Sequence, residues 1–87
     1  MTGNNFVYTI YDNRLAVVSK SKWIANRGYV PDSHEATKES LNFLKSLSPN
    51  FKQIGECFFS FKGKKDEAIK ILENSGVVKV GFGQINV

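Results

Sequence analysis

The chain opens on an alternation of side chains. In FVYTIY (Phe6–Tyr11), β-branched and aromatic residues put Phe6, Tyr8 and Ile10 on one face and Val7, Thr9 and Tyr11 on the other, which predicts a strand. Asp12-Asn13 comes next, two residues that tolerate positive φ and suit a tight hairpin turn. LAVVS (Leu15–Ser19) then reads as the return strand. The next stretch, KSKWIANRGYVPD (Lys20–Asp32), has no clear period. Its Trp23-Ile24-Ala25 either extends the second strand or begins a short one, and Asn26, Gly28 and Pro31 interrupt the remainder of the stretch. An exposed loop or edge segment is the expectation there.

The period changes after Pro31. Asp32 is placed to cap a helix, with Glu35 closing a capping box. Ala36, Ser40, Leu41, Leu44 and Leu47 keep helical spacing, with Phe43 at the margin, so a helix is expected over Ser33–Leu47. Ser48-Pro49-Asn50 stops it. FKQIGECFFSFKG (Phe51–Gly63) reads as one strand in which Cys57, Phe59 and Phe61 alternate with Phe58 and Ser60, and Gly55 marks a bulge. Lys64–Asn74 predicts a second helix, with Asp66 and Glu67 in its first turn, where the helix dipole favours negative charge. Asn74-Ser75-Gly76 provides a left-handed stop, and VVKVGFGQINV closes the chain as a strand.

The order is therefore β-β-α-β-α-β in one domain, residues 1–87. Each helix carries one apolar stripe, so both are expected on one face of the sheet. This predicts an α+β two-layer sandwich with a four-stranded mixed sheet, related to ferredoxin-like folds with an N-terminal hairpin replacing the first βα unit. Leu44 and Phe59 are expected where helix and strand faces meet.

Composition narrows the function classes. The 41% apolar and 13% aromatic content fits a folded globule rather than a disordered chain. A net charge of +4 is a mild bias toward anionic partners. The start lacks a basic region followed by an unbroken apolar run, and no run approaches membrane-spanning length. The lone Cys57 forms no internal disulfide, so a reducing, cytoplasmic setting is the expectation. Catalytic chemistry is thinly provided. The single histidine, His34, sits beside Glu35 at a helix start, and Cys57 lies among phenylalanines, where burial makes a thiol inert. Neither assembles a nucleophile–base pair or a metal set, so the chain is read as non-enzymatic and without a cofactor.

Two surfaces draw attention instead. From Asn13 to Pro31 no acidic residue occurs, while Arg14, Lys20, Lys22 and Arg27 interleave with Trp23 and Tyr29. Cations grip phosphates and aromatic faces stack bases, the mixture used by single-strand binders. Lys62, Lys64 and Lys65 add a second cluster at a strand–helix junction. Lys79, Gly81, Phe82 and Gly83 resemble a fragment of the aromatic strand motif of RNA-recognition domains, although Gln84 stands where a second aromatic belongs. Tyr11, Trp23, Arg27 and Tyr29 are equally the residue types of protein interface hot spots. Two readings stand side by side. The first is a small stoichiometric binding module whose partner is nucleic acid or a nucleic-acid-handling complex. The second is a protein-only inhibitor or adaptor, of the kind phages and mobile elements encode, docking through the hairpin edge with Tyr11, Trp23 and Tyr29.

Overall fold

A computed structural model describes residues 3–87. A short 3-10 turn, Gly3–Asn5, leads into strands β1 (Phe6–Tyr11) and β2 (Arg14–Ser19). Helices α1 (Lys20–Ala25) and α2 (His34–Leu47) come next, then strands β3 (Phe51–Gly55) and β4 (Phe58–Phe61), helix α3 (Lys65–Asn74) and the short strand β5 (Val78–Lys79). The molecule is a small α+β domain built on one mixed, five-stranded sheet of order β3-β4-β2-β1-β5, with three helices.

The β1–β2 hairpin turns as its residues dictate. Asp12 and Asn13 take φ of 52° and 62°, the double left-handed conformation of the turn whose twist matches antiparallel strands. Cross-strand partners share a face, so Tyr8 and Val17 lie together on one side while Val7 and Val18 lie on the other. The first side holds the main core. Phe43 and Leu44 of α2 and Ala68 and Leu72 of α3 pack there against Phe6, Leu15 and Phe59. Phe43 is central to that face: its ring stacks on Phe6 at 4.1 Å and 5°.

Three expectations need correction. The sheet has five strands because FKQIGECFFSFKG is a hairpin, not one strand. The ladder slips between Gln53 and Gly55, and Cys57 takes φ of 65°, so the chain reverses at Glu56-Cys57. That reversal also turns Cys57 away from Phe59, and the two side chains belong to different cores. The strand order gives no support to a ferredoxin-like relationship, although β4, α3 and β5 do form a crossover. The pairings β4–β2 and β2–β1 are antiparallel and β1–β5 is parallel, which makes β4 and β5 parallel.

The second correction concerns Lys20–Asp32. KSKWIA is a helix, α1, capped by Ser19, whose side chain accepts from the Lys22 amide. Trp23 is wholly buried. It fills a second core with Val7, Val18, Ala36, Cys57 and Val80, on the sheet side opposite α3 and the body of α2. The sheet is thus covered on both faces, not one. Third, the closing strand is short. After Val80, whose N–H donates to the Tyr8 carbonyl at 2.9 Å, the chain leaves the ladder, turns through Phe82-Gly83 and crosses over α1. Gly83 N–H donates to the Gly28 carbonyl at 2.8 Å.

Helices α2 and α3 each start one residue later than the sequence predicts and end where it predicts. The cap of α2 is Ser33, whose hydroxyl accepts from Ala36 N–H at 3.2 Å, so Asp32 lies one residue too early to cap and faces elsewhere. Helix α3 ends at Asn74, and the left-handed Gly76, φ 92°, turns the chain so that Val77 N–H returns to the Leu72 carbonyl.

Candidate functional site

The far face of the hairpin reaches the surface at its tip. Tyr11 and Arg14 are the last cross-strand pair, and both point away from the main core. Phe58 of β4 pairs with Ala16, which places it diagonally from Arg14. The Arg14 guanidinium lies over the Phe58 ring at 4.4 Å and near the Tyr11 ring at 6.0 Å. Phe82 meets Tyr11 edge-on at 5.4 Å and stacks on Tyr29 at 5.7 Å and 17°. It also lies against the buried Trp23 at 6.4 Å. Trp23 is therefore the floor beneath Phe82.

These rings border a cleft of about 540 Å³. Val30, Pro31, Asp32, Gly55 and Glu56 complete its lining. Tyr11, Tyr29 and Phe82 keep 50%, 56% and 44% of their surface exposed, so the aromatic rim is open to solvent. The lining charges are one guanidinium and two carboxylates. Glu56 is held in place: its Oε2 accepts from the Thr37 hydroxyl at 2.6 Å, and its Oε1 lies 3.6 Å from His34 Nδ1. Thr37 in turn accepts from Cys57 N–H at 2.8 Å, locking the β3–β4 reversal to α2.

Beside this cleft the sequence-predicted residues divide. Tyr11, Arg14 and Tyr29 line it. Trp23 lies beneath it and exposes nothing. Lys22 is not free, because its ammonium lies 3.4 Å from Glu35 and 4.0 Å from Glu39 on α2. The acid-free run in the sequence thus finds its acids across the fold. Lys20 begins α1 and Arg27 lies just beyond its end, the latter at φ 58° and exposed. Lys62, Lys64 and Lys65 stand at the β4–α3 junction, where Lys65 donates to the Asn13 carbonyl at 3.0 Å. Arg14 and Lys65 lie at one end of β2, while Lys20 follows its other end, which its residue rise places roughly 17 Å away. They do not form one strip.

The hairpin edge, a docking edge in the second reading, lies inside the sheet except along Thr9–Tyr11. Strand β2 is flanked by β4, and β1 is flanked by β5 along Val7 and Tyr8. Val7 and Thr9 are buried, Val7 in the core around Trp23, so Tyr11 alone of that face is open.

Phe58, Phe82, Asp32 and Glu56 are site residues that the sequence did not single out as a group. Phe82 drew notice only within the Lys-x-Gly-Phe-Gly run, and Phe58 only as the off-face member of a strand. Burial pushes the Cys57 thiol pKa up, a direction reinforced by Glu56 and Asp32 and opposed by the Thr37 hydrogen bond. Among the described residues, no group of three or more His, Cys, Asp or Glu is placed to hold a metal ion, and no helix is long and apolar enough to cross a membrane. Compared with protein-family models, curated proteins and solved structures, the chain matches none.

Proposed function

We propose that this protein is a non-enzymatic binding module that docks a protein partner stoichiometrically in the cleft between the hairpin tip and the Tyr29–Asp32 segment. One observation supports this above all. The exposed rings Tyr11, Tyr29 and Phe82 are gathered round a single concavity and backed by a buried tryptophan, so a partner meets a rigid aromatic rim. Such rims concentrate binding energy, because aromatic side chains bury much area at little cost in rotamer freedom. The cleft holds two carboxylates against one arginine, an arrangement that weighs against a phosphate backbone.

The nucleic-acid reading draws on Arg14, Lys20, Lys22, Trp23 and Arg27 and on the separate group Lys62, Lys64 and Lys65 at the start of α3, and one experiment compares the two readings. Tagged protein is used to capture partners from native extract, with and without nuclease, alongside a Tyr29→Ser/Phe82→Ser variant and a Lys62→Glu/Lys64→Glu variant. The expected result is a protein partner that survives nuclease, is lost with the aromatic variant and is kept with the lysine variant. Capture that vanishes with nuclease, or that depends on the lysines and not on the rings, would overturn the proposal.

A further inference from the structure

Two opposite charges in the cleft, Arg14 and Asp32, are each left without an ion-pair partner among the described residues. The Arg14 guanidinium lies over the Phe58 ring at 4.4 Å, and no hydrogen bond or ion pair within the described residues occupies it. Asp32 is exposed, freed from capping duty by Ser33, and no cation lies within 4.0 Å of it among the described residues. Glu56 adds a second carboxylate, whose Oε2 accepts from the Thr37 hydroxyl and whose Oε1 lies 3.6 Å from His34 Nδ1. Arg14 lines the same cleft yet pairs with neither acid. The rings of Tyr29 and Phe82 line the same cleft, stacked on each other, and an aromatic face carries the negative end of the ring quadrupole.

A surface made of carboxylates and aromatic faces is complementary to a cation. Guanidinium suits it better than ammonium, because its plane stacks on a ring while its edge meets a carboxylate through two parallel N–H bonds. We infer that the cleft takes an extended polypeptide segment whose arginine side chain lies on the Tyr29 ring and pairs with Asp32, beside Glu56. Arg14, with donors only, serves the opposite end by donating to a backbone carbonyl of the same segment. A run of phosphates meets the reverse situation, since each residue of it brings negative charge beside Asp32 and Glu56. This inference deepens the protein-docking proposal and rests on it.

Three capped pentapeptides of sequence Gly-Ser-X-Ser-Gly, with arginine, citrulline or leucine at X, are titrated into isotopically labelled full-length protein. Oligothymidylate is titrated in parallel, and backbone amide and aromatic ring resonances are followed. Citrulline keeps the size and planarity of arginine without its charge. The expected result is a saturable, millimolar response of Tyr29, Asp32, Glu56 and Phe82 to the arginine peptide, at least about tenfold tighter than to citrulline. Asp32→Asn, an exposed and isosteric change, should weaken the arginine peptide by about tenfold while leaving the rest of the spectrum in place. Equal binding of arginine and citrulline, no response to the arginine peptide, or a tighter response to oligothymidylate at the same resonances would each overturn the inference. A leucine peptide that binds the cleft better than arginine removes the cationic anchor but leaves protein docking standing. Loss of the docking proposal itself is read separately, from capture that ignores the Tyr29 and Phe82 substitutions.

Discussion

The indole N–H of Trp23 donates to the carbonyl of Gln84 at 2.6 Å, tying the short helix α1 to a segment that has already left the sheet. The bond satisfies the one polar atom of an otherwise buried side chain, as a tryptophan in a core requires. Trp23→Ala should therefore cost about 3–5 kcal/mol, a large part of a small domain's stability. Trp23→Phe should cost less, since it keeps a ring in the core and loses mainly the hydrogen bond, worth about 1 kcal/mol net. Urea unfolding of both variants checks this ranking. Wild-type stability in Trp23→Ala would mean that the second core adds nothing.

A second contact between the same elements is steric. Gly28 has φ of 80°, and a Cβ there would stand 2.7 Å from the Gly83 Cα, in the backbone of the crossing segment. Gly83 has the same φ of 80° but faces open space. Gly83→Ala should cost only the left-handed strain, about 1 kcal/mol. Gly28→Ala bears that strain and also lifts the segment off α1, so it should destabilise clearly more. It should also redden the Trp23 fluorescence, because the indole becomes wetted. Equal costs for the two would show that the crossing segment is not seated on Gly28.

How much of this was legible in the sequence differs by element. The hairpin turn at Asp12-Asn13, the span of α2 and the stop at Gly76 arise from local chemistry, namely residues that accept positive φ and a proline that ends a ladder. Phe59 and Leu44 are buried as their alternation and period imply. Helix α1 escaped notice because six residues with one buried side chain carry too little pattern, and its anchor is tertiary. The β3–β4 reversal escaped for another reason. Its left-handed residue is Cys57, a type that rarely adopts that conformation, so only Gly55 hinted at a break. The site was legible in Tyr11, Arg14 and Tyr29, singly. Their convergence with Phe58 rests on the unforeseen β3–β4 hairpin, and that with Phe82 on the path of residues 81–87, which strand alternation misread as a continued ladder.

The thiol of Cys57 should be silent in the folded protein. It is fully buried, and its raised pKa keeps it protonated, so the reactive thiolate is scarce on both counts. Ellman's reagent at neutral pH should label native protein only as fast as the domain opens, and should label it at once in denaturant. Rapid labelling of the native state would mean that the β3–β4 reversal is not locked to Thr37.

The last prediction concerns alkaline pH. Tyr8 sits in the main core, and its hydroxyl donates to Glu73 Oε2 at 3.0 Å on the last turns of α3. Burial first, then the hydrogen bond to the carboxylate and its negative charge, push the phenol pKa from 10.0 up to about 12. An unfolded chain releases this proton near the ordinary tyrosine value of about 10. Between the two values the unfolded state has lost a proton that the folded state retains, so stability falls as pH rises. The contribution of Tyr8 is fully present below about pH 10 and is gone above about pH 12. Lysines and the exposed tyrosines also titrate in this window, so the comparison must be made against Tyr8→Phe. Unfolding free energies of the two proteins, measured at about pH 8 and about pH 11, should show a steeper alkaline loss for wild type. The variant starts lower at pH 8 because it lacks the bond to Glu73, and the gap narrows at pH 11. Parallel losses in the two proteins would remove the Tyr8–Glu73 bond from the account of what joins β1 to α3.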